Sequence, residues 1–125
     1  MTAEELYETV KGLMFEKMNS VDFDDNYIPY INILLSENFD LNNSIRRRKG
    51  YAPLVKRPRV TLKTDTIPYE EEMLYEILPY GLAKNLFIDD DHEDVNIFDT
   101  MYFNSRQRYM KASYVPYEDV YGVIE

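Results

Sequence analysis

Three prolines limit where this chain is able to be helical. Pro53, Pro58 and Pro68 fall within "YAPLVKRPRVTLKTDTIP", residues 51–68, and each lacks the amide that a helix interior needs. The segment reads as an extended arm or a short β-ribbon. Val60, Leu62 and Thr64 alternate there with Arg59, Thr61 and Lys63, the period of a half-exposed strand. So long a stretch is more than an idle connector in a compact chain. It separates two helix-forming halves.

Before the arm, "TAEELYETVKGLMFEKM" opens with Thr2 and Glu5 at the spacing of a capping box. Leu6, Val10, Leu13 and Met14 follow at helical spacing, which predicts a helix over about residues 3–18. After the polar break "NSVDFDDN", a second helix is expected from near Pro29 to a stop at Gly50. Its stripe is Ile31, Leu34, Leu35 and Phe39, extended by Leu41 or Asn42 and Ile45. Beyond the arm, "PYEEEMLYEILPYGLAKNLFI" predicts a third helix with Leu74, Ile77, Leu78, Gly81, Leu82, Asn85 and Leu86 on one face. Pro79 should kink it, because the proline ring crowds the carbonyl of Tyr75. Gly81 should let a neighbouring helix approach closely. A fourth helix, running to about Ala112, takes Phe98, Met101, Tyr102, Ser105 and Tyr109 as its inner face. The expected fold is all-α: a small four-helix bundle over residues 1–112, with the arm between helices 2 and 3. Residues 113–125, "SYVPYEDVYGVIE", form an extended C-terminal tail too apolar to stand in water and too broken to be a helix.

Composition removes several classes of function. There is no cysteine, so disulfides and thiolate zinc sites are excluded. Residues 1–20 lack the basic start and apolar run of a secretory signal, and no window approaches the roughly 18 apolar residues of a membrane span. No membrane partner is expected. Twelve tyrosines without a tryptophan suit surfaces that are half buried and half wet, as at subunit contacts. The net charge of −9 is unevenly spread. Residues 45–64 hold eight bases and no acid, between segments of −7 and −10. An acidic body of this kind is a poor general binder of nucleic acid, although the basic strip alone can reach a phosphate or an acidic neighbour.

The cluster "DDDHED", residues 89–94, is the one place where a metal site suggests itself. The calcium-loop pattern fails there, because Asp94 replaces the glycine and Thr100 the final glutamate. His92 is the only histidine, so a histidine-rich site is excluded. A weak magnesium site of two carboxylates stays open, as at almost any acidic turn. A helix boundary explains more: Asp90 or Asp91 caps the fourth helix, and Glu93 and Asp94 sit in its first turn. There is no glycine-rich phosphate loop and no nucleophile beside His92. An enzyme is not expected, nor a metal or cofactor.

The stretch "EEMLYEILPYGLAKNLFIDDDHEDVNIFDTMYFNSRQRYMKA", residues 71–112, resembles the head-tail connector (adaptor) proteins of tailed bacteriophages. In that family a helix with an "LxxxLxYGLA"-like run precedes an acidic turn and then a helix with a tyrosine before basic and polar residues. Leu78, Tyr80, Gly81, Leu82, Ala83, Asp89 to Asp91 and Tyr102 fill those places. The resemblance implies a ring of identical subunits, usually twelve, between the portal protein and a tail or stopper protein. The genome DNA passes through the channel of such a ring without specific binding. The chain would be made in the host cytoplasm and end in the neck of the virion. On this reading Tyr114, Val115, Tyr117, Val120 and Tyr121 of the tail dock on the portal, although folding back over their own bundle stays equally open. Arg46, Arg47, Arg48, Lys56, Arg57 and Arg59 are expected to meet the acidic body of the adjacent copy. The competing expectation is an acidic inhibitor that imitates DNA, with acids at 22–25, 70–72 and 89–94. A metal-dependent nuclease relying on Asp90 and Asp91 ranks below both.

Overall fold

Helix α1, Ala3–Met14, starts at the predicted capping box. The Thr2 amide donates to Glu5 Oε1 at 3.0 Å, and the Glu5 amide donates to Thr2 Oγ1 at 3.1 Å. The hydrogen bond from the Thr2 backbone holds the Glu5 carboxyl below its ordinary value, helped by the Thr2 hydroxyl. Two further amides of the first turn remain to be satisfied. Those of Ala3 and Glu4 donate to the carbonyls of Asp65 and Lys63, at 3.0 and 2.9 Å, so the arm completes the cap. The computed structural model describes residues 1–14, 26–87 and 95–110. The end predicted for α1, the acidic break at 89–94 and the tail at 113–125 lie outside the described residues.

The single helix expected from Pro29 to Gly50 is two. Helix α2 spans Ile28–Glu37 and α3 spans Phe39–Arg48. The break is Asn38, at φ −105° and ψ 10°. Its side-chain amide donates to the Leu34 carbonyl at 2.9 Å, where its own backbone amide also donates at 3.0 Å. Asparagine competes with the backbone in this way, and a helix bends or stops where it does so. Pro29 sits in the first turn of α2 as expected, and the chain leaves α3 through Gly50 at φ 85°.

Pro79 disturbs its helix one turn earlier than its own position. Residues 73–77 form a π-helical turn, Met73–Ile77, which runs into helix α4, Leu78–Phe87. The Leu78 amide donates to Met73 O, five residues back. Widening the turn relieves the crowding between the proline ring and the Tyr75 carbonyl, and π-turns commonly serve this end. Helix α5 covers 95–110.

Packing centres on α4, which lies against both α1 and α2. Leu74, Ile77, Leu78, Leu82 and Leu86 are buried as predicted, together with Met73 and Ala83. Gly81 provides the predicted close approach. A Cβ there would lie 2.7 Å from Leu34 Cδ2 of α2 and 2.8 Å from Tyr102 Cε1 of α5. On α5, Tyr102 and Ser105 are buried and Phe98 and Tyr109 pack at the rim, but Met101 points outward at 38% exposure. Met101 lies about 100° round the helix from Tyr102 and falls at the open edge of the face that Tyr102 and Ser105 bury. The Tyr102 hydroxyl accepts from Asn38 Nδ2 at 2.9 Å and donates to the Glu37 carboxylate, tying α5 to the α2–α3 junction. Burial pushes the Tyr102 pKa up, and Glu37 adds to the rise.

The described residues are all-α, with no strand among them. The arm's single β-pairing is an isolated antiparallel bridge between Thr2 and Thr66. The alternation expected from Val60 stops at once: Val60 is buried, but Leu62 is 61% exposed and Thr64 is also exposed. Asp65 ends it by folding the chain into a turn, its carboxylate accepting from the Thr61 and Leu62 amides at 2.8 and 2.9 Å. Replacing Gly81→Ala should cost about 1–3 kcal/mol of stability by overpacking the α2–α4–α5 contact. Urea unfolding measures this directly, and an unchanged midpoint would mean that the helices are not held so close.

Candidate interaction surfaces

Outside a helix, each peptide group of the arm needs a partner wherever it touches the bundle. Asparagine supplies it. The side chain of Asn32 in α2 donates to the Val60 carbonyl at 2.9 Å and accepts from the Val60 amide at 2.8 Å. Asn43 in α3 does the same for Leu54, at 3.2 and 2.8 Å. An asparagine amide carries one peptide-like donor and acceptor pair, so each contact reproduces a rung of a β-ladder without a strand. Asn42, wholly buried, accepts from the Glu70 amide at 2.9 Å, and the Tyr69 hydroxyl donates to the Leu35 carbonyl. The arm is therefore fastened to α2 and α3 along its length. None of Asn32, Asn42 and Asn43 looked like an arm anchor in the sequence. The available signal was an asparagine set among the apolar residues of "NILL" and "LNNS".

The six bases of the expected subunit contact fall into two groups. Arg46 turns onto its own chain: Nε donates to the Ala52 carbonyl at 2.7 Å, and a terminal nitrogen reaches Glu70 at 2.9 Å. Arg57 donates to the Ser36 carbonyl at 2.7 Å and lies over the Phe39 ring. Both hold the arm down. Arg47, Arg48, Lys56 and Arg59 are exposed and make no ion pair among the described residues. Lys49 bridges Glu70 at 3.2 Å and Glu72 at 2.6 Å. Its hydrogen bond to Glu72 raises its pKa, with Glu70 adding to the effect. These are partly exposed pairs, each worth about 0–1 kcal/mol.

Two unlike faces remain on the outside. On the first, Pro29, Ile33 and Ser36 of α2 line a groove of about 460 Å³ with Arg59, Val60 and Thr61 of the arm. Ile33 is 54% exposed there. On the second, Tyr75 stands out from the π-turn at 61% exposure. It lies beside Glu4, Glu5, Glu8 and Thr9 of α1 in another groove of about 460 Å³. A cleft of about 300 Å³ continues from Tyr75 between α4 and α5, past Glu76 and Met101. Glu76 accepts there from Arg108 at 3.2 Å and from the Tyr109 hydroxyl, whose pKa is pushed up to about 12 by burial and by Glu76. The first face is apolar and basic, the second apolar and acidic. The tail residues Tyr114, Val115, Tyr117, Val120 and Tyr121 lie outside the described residues. Among the described residues no group of three or more His, Cys, Asp or Glu is placed to hold a metal ion. No described helix is long and apolar enough to cross a membrane.

Replacing Asn32→Ala or Asn43→Ala leaves a rung of the arm unpaired and should cost about 1–3 kcal/mol. Native-state trypsin cleavage after Lys56 or Arg59 should rise in both variants while α4 stays protected. An unchanged cleavage rate would show that the asparagines do not hold the arm. Compared with family models, with curated proteins and with solved structures, the chain has no match.

Proposed function

We propose that this chain is a structural subunit of a phage head-tail connector, one copy of a ring that joins the portal to the tail around the DNA channel. The observation that carries this is the pair of unlike faces on one small helical unit. A closed ring of identical subunits joins one patch to a different patch on the next copy, and opposite charges on the two give register and direction. The residues behind the family resemblance fit the same account. Leu78, Leu82 and Ala83 are buried, and Gly81 seats Tyr102, so that stretch specifies how α4 and α5 pack. In this reading the four-helix bundle is the wall of the ring, with α2 and α3 counted as one bent helix. The tail, through Tyr114, Val115, Tyr117, Val120 and Tyr121, is the portal-docking element. DNA passes through unbound, and the assembled protein resides in the virion neck.

The acidic DNA mimic has less support. Of its proposed charges, Glu70 and Glu72 are engaged by Arg46 and Lys49 of the same chain, which leaves fewer carboxylates for a foreign basic surface.

Electron microscopy of the chain mixed with portal rings of the same virus tests the proposal. The full chain should add a ring of density at one end of the portal, and a chain ending at residue 112 should not. No portal association by the full chain, together with salt-sensitive binding to a DNA-processing enzyme, would replace the connector with the inhibitor.

A further inference from the structure

We infer that the groove between α2 and the arm receives the Tyr75 ridge of a second copy of this chain. The inference rests on the connector reading and assigns the surfaces through which neighbouring copies meet. Three observations carry it.

The first is chemical fit. The groove has an apolar floor, Pro29, Ile33 and Val60, and is open to solvent on one side. The ridge offers an aromatic ring with a polar tip, the side chain best suited to an apolar slot with a wet mouth. Tyr75 stands on the π-turn at the outer surface, while Leu74 and Ile77 stay buried.

The second is charge. Arg59 lines the groove without an ion-pair partner among the described residues, and Arg57, bonded to the Ser36 carbonyl, adds a second cation. Glu4 and Glu8 of α1 are exposed beside Tyr75, and Glu71 is exposed on the turn before it. Groove facing groove, or ridge facing ridge, sets like charges against each other. Groove facing ridge pairs them.

The third is geometry of a general kind. Two different patches on one chain make a heterologous contact, which propagates from copy to copy until a ring closes. Both surfaces are built on packed elements: the Asn32–Val60 hydrogen bonds hold the groove wall, and α1 packs against α4 beside the ridge.

The absence of native cysteine makes the test clean. Ser36→Cys, on the groove, and Thr9→Cys, beside Tyr75, are prepared as separate chains; both positions are exposed, so neither change disturbs the core or removes Ile33 or Tyr75. The two are mixed at high protein concentration with a short thiol-reactive cross-linker. The expected result is a covalent dimer in the mixture and little or none with either variant alone. The double variant should give a ladder of higher multiples. Cross-linking should fall as salt is raised, since the flanking charges are exposed. Efficient linking of either variant to itself, or no mixed product, overturns the assignment. Portal-bound rings without the 9–36 product would sink this inference alone. The 9–36 product without portal binding would sink the connector reading and leave the self-association standing.

Discussion

Every part of this small fold leans on the hydrogen bonds that asparagine side chains make to a segment with no regular structure. Three prolines keep residues 51–68 out of any helix, and no neighbouring strand is present among the described residues to pair with them. A peptide group buried without a partner costs about 1–3 kcal/mol, so an unanchored arm would not lie on the bundle. Asn32 and Asn43 complete the peptide groups of Val60 and Leu54, and Asn42 that of Glu70. The arm in turn caps α1 through Lys63 and Asp65, and it buries Val60, Ile67 and Tyr69 into the core. Removing it would expose the start of α1 and one side of α2 together.

What the sequence made legible was local. The Thr2–Glu5 capping box, the stop at Gly50 and the close approach at Gly81 each depend on residues within a turn or on a missing side chain. Each is found where periodicity and turn chemistry put it. Non-local pairing was not legible. Asn38 sits in a good apolar period, and nothing near it announces that its amide will turn back on Leu34 while binding Tyr102, far along the chain. The same holds for Val60. Its β-like alternation is a real local preference, overridden once Asp65 gathers the Thr61 and Leu62 amides. Pro79 predicts a kink, and the helix instead widens into a π-turn just before it.

The candidate surfaces divide along the same line. A run of bases is visible in any sequence, but which of them face outward is not. Arg46 and Arg57 are held by carbonyls of their own chain, whereas Arg47, Arg48, Lys56 and Arg59 are left to the surface. Tyr75 falls outside the apolar face by helical period, but nothing in the sequence sets it apart among twelve tyrosines. The result is a unit whose two outer faces differ in charge and share apolar character, the minimum a head-to-tail assembly of identical chains requires. Here the raised tyrosines, Tyr69, Tyr102 and Tyr109, each bond to a carbonyl or carboxylate that ties one element to another.

The account stands or falls on whether the arm and the bundle are one rigid body before any partner arrives. Hydrogen exchange of the isolated chain, read at the amides of Leu54 and Val60, tests this most directly. Both donate to asparagine side chains at 2.8 Å, and the account predicts protection within about tenfold of the Leu82 amide in the core of α4. Exchange at the rate of a free peptide at both sites would contradict it. The groove face would then not exist in the isolated chain, and the two unlike faces would not be a property of the folded unit.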